Sequence, residues 1–207
     1  MAMKTVLIAS NNAHKVQEIS RALAFPEWEF KSLRDMDIIS DPCESASTFE
    51  GNARIKARAA FDKAPGVAVL ADDSGLCVDA LHDAPGVHSA RYAGEHATDA
   101  ENNAKLLAAL DCVPHEKRSA RFVCTLVFID ADGTEWLAHG SVHGFIGTHL
   151  QGAEGFGYDP LFFPDAFHGE KTFAEVSQAE KTSLSHRGCA LRALHKQLSS
   201  VYGERNA

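Results

Sequence analysis

Lys4-Thr-Val-Leu-Ile-Ala-Ser-Asn-Asn-Ala-His-Lys-Val-Gln-Glu-Ile-Ser-Arg-Ala-Leu23 changes its period halfway along. The first six residues are apolar and rich in β-branched side chains, and the run is too short for a helix, so it predicts a buried strand. The polar cluster Ser10-Asn-Asn-Ala-His14 stops that strand. From Lys15 the apolar residues fall at Val16, Ile19 and Leu23, a helical stripe that ends before Pro26. Strand, polar loop, helix is the opening unit of an α/β fold.

The same reasoning extends outward. Thr48 to Ala64 predicts a helix with a small-residue face at Ala53, Ala57, Ala60 and Phe61, ended by Pro65-Gly66. Val67 to Ala71 predicts a second buried strand that ends at Asp72-Asp73-Ser74-Gly75. Thr98 and Glu101 have capping-box spacing ahead of Leu106, Leu107 and Leu110. Arg121 to Ile129 and Glu135 to Ile146 flank the turn residues Asp130-Ala-Asp-Gly133 and predict a long hairpin. Gly152 to Gly157 is a flexible loop, Thr172 and Glu175 repeat the capping-box spacing, and a final helix carries Leu191, Leu194, Leu198 and Val201 on one face. Strand–helix alternation combined with a hairpin gives an α/β class with a mixed sheet and flanking helices. No repeat, linker or low-complexity tract divides the chain.

At 207 residues the chain suits one domain or one two-lobed unit and can bury roughly 70% of its unfolded surface. Its 20 Lys plus Arg against 28 Asp plus Glu give a net charge of −8, which argues against general nucleic-acid binding. No apolar stretch approaches the roughly 18 residues of a membrane span, and Met1-Ala-Met-Lys4 leads straight into the first strand, so no membrane partner is expected and the expected compartment is the cytoplasm. Five cysteines, an odd set without a C-x-x-C pair, fit reduced thiols.

Three polar clusters carry the chemistry. Ser10-Asn-Asn-Ala-His-Lys15 opens a helix, where free N–H groups and side-chain donors suit a phosphate; an ordinary N-cap with a surface lysine is the competing reading. Asp72-Asp73-Ser74-Gly75 places adjacent carboxylates at a strand end, which points either to a divalent metal or to a plain turn; Glu44 could add a third oxygen. Phe156-Gly-Tyr-Asp159 and Lys181-Thr-Ser-Leu-Ser-His-Arg187 combine an aromatic ring with donors, as a nucleobase with a phosphate tail requires, or else form a packed loop beside a charged helix. Triad-hydrolase, zinc-protease and dinucleotide signatures are missing, and His139 and His143 share a strand face as surface histidines.

Ser10-x-Asn12-x-x-Lys15, Thr48-Phe-Glu-Gly-Asn-Ala53, Ala71-Asp-Asp-Ser-Gly75, Ser89-Ala-Arg-Tyr92, Phe156-Gly-Tyr-Asp-Pro160 and Ser185-His-Arg-Gly188 occur in that order. Through these motifs the chain resembles, over almost its whole length, the inosine triphosphate pyrophosphatase family, the dITP/XTP pyrophosphatases. It departs in having Ser10 where the family often has Thr, and Cys43-Glu-Ser-Ala46 where the family has a Glu-Glu-Thr-Gly-like segment. The resemblance implies one domain over residues 1–207, elongated, with two lobes around a cleft. It also implies a homodimer and Mg²⁺-dependent cleavage of a deaminated purine nucleoside triphosphate (ITP, dITP or XTP) to the monophosphate and pyrophosphate.

On that resemblance Glu44 and Asp73 hold the metal, with help from Asp72, and Asp73 accepts the proton of the attacking water. Ser10, Asn11, Asn12, Ala13, His14, Lys15, Lys56 and Lys181 hold phosphate oxygens, and Ser74 completes that set. Phe156 stacks on the purine with Gly157, Tyr158 and Asp159 in its loop, while His186, Arg187 or backbone N–H groups donate to the 6-oxo group. Two alternatives stand beside this one: a Maf-like pyrophosphatase for pyrimidine or modified nucleotides, and a nucleotide-binding module without turnover.

Overall fold

Lys4–Ile8 forms the first strand (β1) and Ala13–Ala22 the first helix (α1), as the change of period requires. The computed structural model describes residues 3–23 and 25–202, so the two ends of the expected 1–207 domain lie outside the described residues. The remaining elements are β2 (Trp28–Ser32), α2 (Phe49–Phe61), β3 (Ala68–Val78), α3 (Asp99–Ala109), β4 (Ser119–Ile129), β5 (Glu135–Ile146), β6 (Phe162–Pro164), α4 (Gln178–Leu184) and α5 (His186–Tyr202). The strands form one mixed sheet in the order β2-β1-β3-β4-β5-β6. Strand β1 runs parallel to both β2 and β3, and β5 runs antiparallel to β6. The α/β mixed-sheet expectation therefore holds.

Local sequence explains each early element. Asn12 caps α1, its carboxamide oxygen accepting from the backbone of His14 and Lys15, and Ile19 and Leu23 on its stripe are fully buried. Thr48 caps α2 by accepting from the Gly51 N–H, and Ala53, Ala57 and Ala60 are fully buried. Thr98 and Glu101 form the expected capping box at the start of α3. The Thr172–Glu175 box also forms, but it opens a single 3-10 turn over Phe173–Glu175, and α4 takes its own cap from Ser177. Strand β2 was not expected: all five of its residues are only half-buried, at the edge of the sheet, so no apolar run announces it.

The structure corrects the reading of residues 67–75. The strand does not end at Asp72; it continues through the acidic pair to Val78, because Leu76, Cys77 and Val78 beyond it are themselves buried.

The chain divides into two units, each assembled from separated segments. The first comprises Met1–Asp73, Cys124–Gly140 and Gly188–Ala207; the second comprises Ser74–Val123 and Ser141–Arg187. The first has two cores. Ile8, Leu70, Leu126 and Phe128 pack with Ile19 and Leu23 and with Leu191, Leu194 and Leu198 of α5, while Leu7, Val69, Ala71 and Val127 pack with the alanines of α2. Odd and even positions of β1 and β3 thus face different helices, as strand alternation demands. A polar tie closes this unit: Lys4 Nζ meets Asp130 Oδ1 at 2.5 Å and the Tyr202 hydroxyl at 2.8 Å, and that hydroxyl in turn donates to Asp130.

The second unit has one core, with Leu76, Leu106, Leu110, Phe122, Ile146, Leu161, Phe162 and Phe173 at its centre. Arg118 is buried beside it, its guanidinium donating to the carbonyls of Leu110 (2.7 Å), Val113 (3.0 Å) and Gly147 (2.9 Å). The acceptors include the last turn of α3, where carbonyls lack helical partners and a cation is favoured. Arg118→Met keeps the length but strips the guanidinium from the Val113 and Gly147 carbonyls and leaves the Leu110 carbonyl with the Val113 N–H alone. It is expected to cost at least about 2 kcal/mol, read as a lower melting temperature, since hydrogen bonds from charged groups contribute about 1.5–3 kcal/mol each. An unchanged melting temperature would remove Arg118 from that role.

Candidate functional site

Most of the residues singled out in the sequence fall into two groups, one in each unit. In the first unit Asp72 and Asp73 are consecutive on β3, so their side chains leave opposite faces of the sheet. Asp72 belongs to the α1 face. Its Oδ1 takes the Lys15 ammonium at 2.5 Å, and the buried Cys124 thiol donates to its Oδ2 at 3.1 Å. Asp73 belongs to the α2 face, where Lys56 Nζ meets its Oδ1 at 2.6 Å and Glu44 Oε1 at 3.4 Å. The two aspartates therefore do not present one joint acidic surface; Asp73 is paired instead with Glu44, across a shared ammonium.

What holds Glu44 there is the motif Thr48-Phe-Glu-Gly-Asn-Ala53. The Asn52 carboxamide oxygen accepts from the Ala46 N–H at 2.9 Å. A Cβ added to Gly51 would stand 2.5 Å from the Ala46 Cβ, so only glycine lets the Glu44 segment lie this close to α2. The conformational motif and the acidic residue are thus one device.

Burial pushes the Asp73 carboxyl above the ordinary aspartate range, against the pull of Lys56. Burial also works against the Lys56 ammonium, but Asp73, and then Glu44 and Asp72, hold it above the usual lysine value. Both directions describe a buried group that releases its protons late. The other oxygen of Asp73, Oδ2, is buried and has no hydrogen-bond partner among the described residues. Two carboxylates, one with an unused buried oxygen, are a donor set suited to a hard divalent cation that takes its remaining ligands from phosphates and water.

The α1 loop is partly self-satisfied. Ser10 Oγ accepts from the Asn12 N–H at 3.1 Å, and Asn12 Oδ1 accepts from His14 at 3.0 Å and Lys15 at 3.2 Å. Asn11, Asn12, Ala13 and His14 are exposed, so the loop combines the cap of one reading with the accessible phosphate cradle of the other.

In the second unit Asp159 organises the other group. Its Oδ2 accepts from the Phe156 N–H at 2.8 Å and from Lys181 Nζ at 2.5 Å. The Lys181 ammonium stands 4.4 Å from the centre of the Phe156 ring, and the Arg187 guanidinium 5.9 Å. Lys181 is therefore grouped with the aromatic loop. Arg187 reaches Ser74 Oγ at 3.3 Å, and the buried His186 ring stacks on Phe122 with centroids 4.8 Å apart. The loop expected to be flexible is tied down, with Ala153 and Glu154 donating to the Ala174 carbonyl and Gly157 held at both its N–H and its carbonyl. Tyr158 is buried, and its hydroxyl donates to the Ser89 carbonyl at 2.9 Å. Burial raises its pKa far beyond the ordinary tyrosine value. Asp99 and Asn103, which hold Gly157, were not recognised in the sequence; only the capping box marked their helix.

Comparison with known proteins adds an independent line. A model described as Ham1 family matches residues 6–197. A dITP/XTP pyrophosphatase of Clostridium perfringens is 45% identical over 204 residues, covering 96% of this chain and 99% of its own. A dITP/XTP pyrophosphatase of Lactiplantibacillus plantarum is 47% identical over 191 residues, covering 92% of this chain and 93% of its own. Among solved structures, a HAM1 protein from Coxiella burnetii superposes with a TM-score of 0.86 at 40% identity, over 96% of this chain and all of its own.

Because its hydroxyl is spent on the Ser89 carbonyl, the Tyr158 side chain acts as a brace. Tyr158→Phe is expected to lower stability by about 1–2 kcal/mol, the value of one buried hydrogen bond and its stranded acceptor, measured by denaturant unfolding. A variant as stable as the parent would show that this bond contributes nothing.

Proposed function

The chain belongs to the Ham1 family, and from that premise we propose that it hydrolyses deaminated purine nucleoside triphosphates, ITP, dITP and XTP, to the monophosphate and pyrophosphate with Mg²⁺ as cofactor. The observation that carries this reading is the Asp73–Lys56–Glu44 group, with its buried and unpartnered Asp73 oxygen. A nucleoside triphosphate offers both kinds of group the two clusters suit: an anionic chain for the lysine-rich one and a flat heterocycle for the aromatic one. The same reading includes a homodimer, taken from the family resemblance, and a cytoplasmic setting, taken from the sequence pattern. None of the described helices is long and apolar enough to cross a membrane.

In this mechanism Glu44 and Asp73 would hold the cation, which supplies charge neutralisation to the triphosphate and polarises the reacting phosphoryl group when bound. Lys15, with the side chains and backbone of Ser10 to His14, binds phosphate oxygens, and Lys56 adds a second compact charge. Asp73 accepts a proton from water as the water oxygen bonds to the α-phosphorus; the bond from that phosphorus to the bridging oxygen breaks, and pyrophosphate leaves. No covalent enzyme intermediate is needed.

At the other end Phe156 stacks on the purine, and Arg187 and His186 supply donors for the 6-oxo group. Adenine presents an amino group there and leaves those donors unpaired, a mismatch that can discriminate by about 10⁴ to 10⁵. Lys181, committed to Asp159, serves as the counter-ion of the loop.

Purified protein incubated with ITP, XTP, ATP and GTP, with and without Mg²⁺, is expected to release pyrophosphate from ITP and XTP only, and only with the metal. Orthophosphate would favour a general phosphohydrolase, and pyrophosphate release indifferent to the base would favour the Maf-like alternative. Asp73→Asn is expected to fold and bind ITP while losing at least about 10²-fold in hydrolysis; near-parental turnover would remove Asp73 as the base. The reaction needs ionised Asp73, and burial raises its pKa. Activity should therefore fall on acidification at a pH above the ordinary aspartate value, and saturating Mg²⁺, which favours the ionised form, should move that limb to lower pH.

A further inference from the structure

Helix α3 carries none of the groups assigned above, yet two of its side chains hold the aromatic loop. The Asp99 carboxylate accepts from the Gly157 N–H at 2.7 Å, and the Asn103 carboxamide donates to the Gly157 carbonyl at 2.9 Å. The two residues are four apart and so share one face of the helix. Their bonds fall on successive peptide planes, one on each side of the Gly157 Cα. Together they fix both dihedrals of Gly157, whose φ of 64° lies in the left-handed region that glycine enters cheaply. Fixing those dihedrals fixes the direction in which the Phe156 segment leaves the loop.

The helix is itself anchored. Thr98 and Glu101 cap it, and Asn102 bonds both the Ala90 carbonyl and the Ala93 N–H. Asp99 sits in its first turn, where the helix dipole favours a carboxylate. Asn103 is 5% exposed, and its own oxygen is buried without a partner among the described residues. A residue kept only for packing would be apolar at such a place, because an unpaired buried acceptor is a cost.

We propose that Asp99 and Asn103 are positioning residues that set base selectivity by clamping the two peptide planes at Gly157. The proposal rests on the preceding reading of the Phe156 loop as the base site. Neither side chain has to touch the nucleotide; each acts through the loop.

The test pairs a functional readout with one that needs no substrate. In Asp99→Ala the ratio of kcat/KM for ITP to that for ATP is expected to fall at least about tenfold, the equivalent of one hydrogen bond, with the loss for ITP in KM rather than kcat. Exchange of the Gly157 amide hydrogen, followed by NMR in the substrate-free protein, should accelerate by about tenfold or more. Asp99→Asn, which keeps an acceptor at that position, should restore most of both. Asn103→Leu should reproduce the selectivity loss from the other side of Gly157; should it fail to fold, the surface variant Asp99→Ala still decides.

Unchanged amide exchange in Asp99→Ala would show that there is no clamp. Accelerated exchange with an intact ITP-to-ATP ratio would show a clamp without a role in selectivity. Either result overturns the proposal while leaving the wild-type activity in place. A wild-type protein that hydrolyses ITP and ATP alike would instead overturn the functional reading, and the proposal with it.

Discussion

A β-strand cannot point two consecutive side chains the same way, and in β3 those two side chains are the carboxylates of Asp72 and Asp73. Each buried carboxylate needs a cation, because stripping its water without compensation costs several kcal/mol. One side of the strand is supplied by Lys15 from α1 and the other by Lys56 from α2. The two helices therefore have to flank this part of the sheet, and the two apolar cores of the first unit follow the same alternation one strand position at a time. Asp72, satisfied by Lys15 and the Cys124 thiol, is the anchored member of the pair. Asp73, left with an unpartnered oxygen, is the member available for chemistry.

The same division between holding and acting recurs elsewhere. Asn52 and Gly51 hold the segment of Glu44; Asp159 holds Phe156 and Lys181; Tyr158 braces its loop on Ser89. Motifs that read as strings of functional residues are thus mixtures. In Phe156-Gly-Tyr-Asp159 the half-buried ring meets the Lys181 and Arg187 cations, the glycine supplies a backbone angle, and the tyrosine and aspartate secure the other two.

Much of this was legible in the sequence because it is local. The cap and stripe of α1, the alanine face of α2 and the capping box of α3 depend on residues within a few positions of each other, and all formed as expected. Strand β2 was not legible, since its alternation of Trp28 and Phe30 with polar residues spans only five half-buried positions at the sheet edge. The end of β3 was misplaced because Asp-Asp-Ser-Gly has the composition of a turn, and only the lysines brought from α1 and α2 make it tolerable inside a strand. Asp99, Asn103 and Arg118 escaped notice for a related reason: each matters through a backbone group that the sequence does not name. The residue set of the candidate site was visible largely through its ordered motifs. Its partition into two groups, with Lys181 beside Phe156, required the fold.

The tie among Lys4, Asp130 and Tyr202 carries a consequence for synthesis. Lys4 and Tyr202 lie 198 residues apart, so β1 contributes a residue whose partner is made only much later. The second unit ends at Arg187 and has all its segments before the final helix is finished, whereas the first needs Gly188 and beyond for its core. Until α5 is released, β1 and α1 expose an apolar face made for Leu191, Leu194 and Leu198. During translation β1 and α1 are thus the elements that wait, and they need protection from premature association.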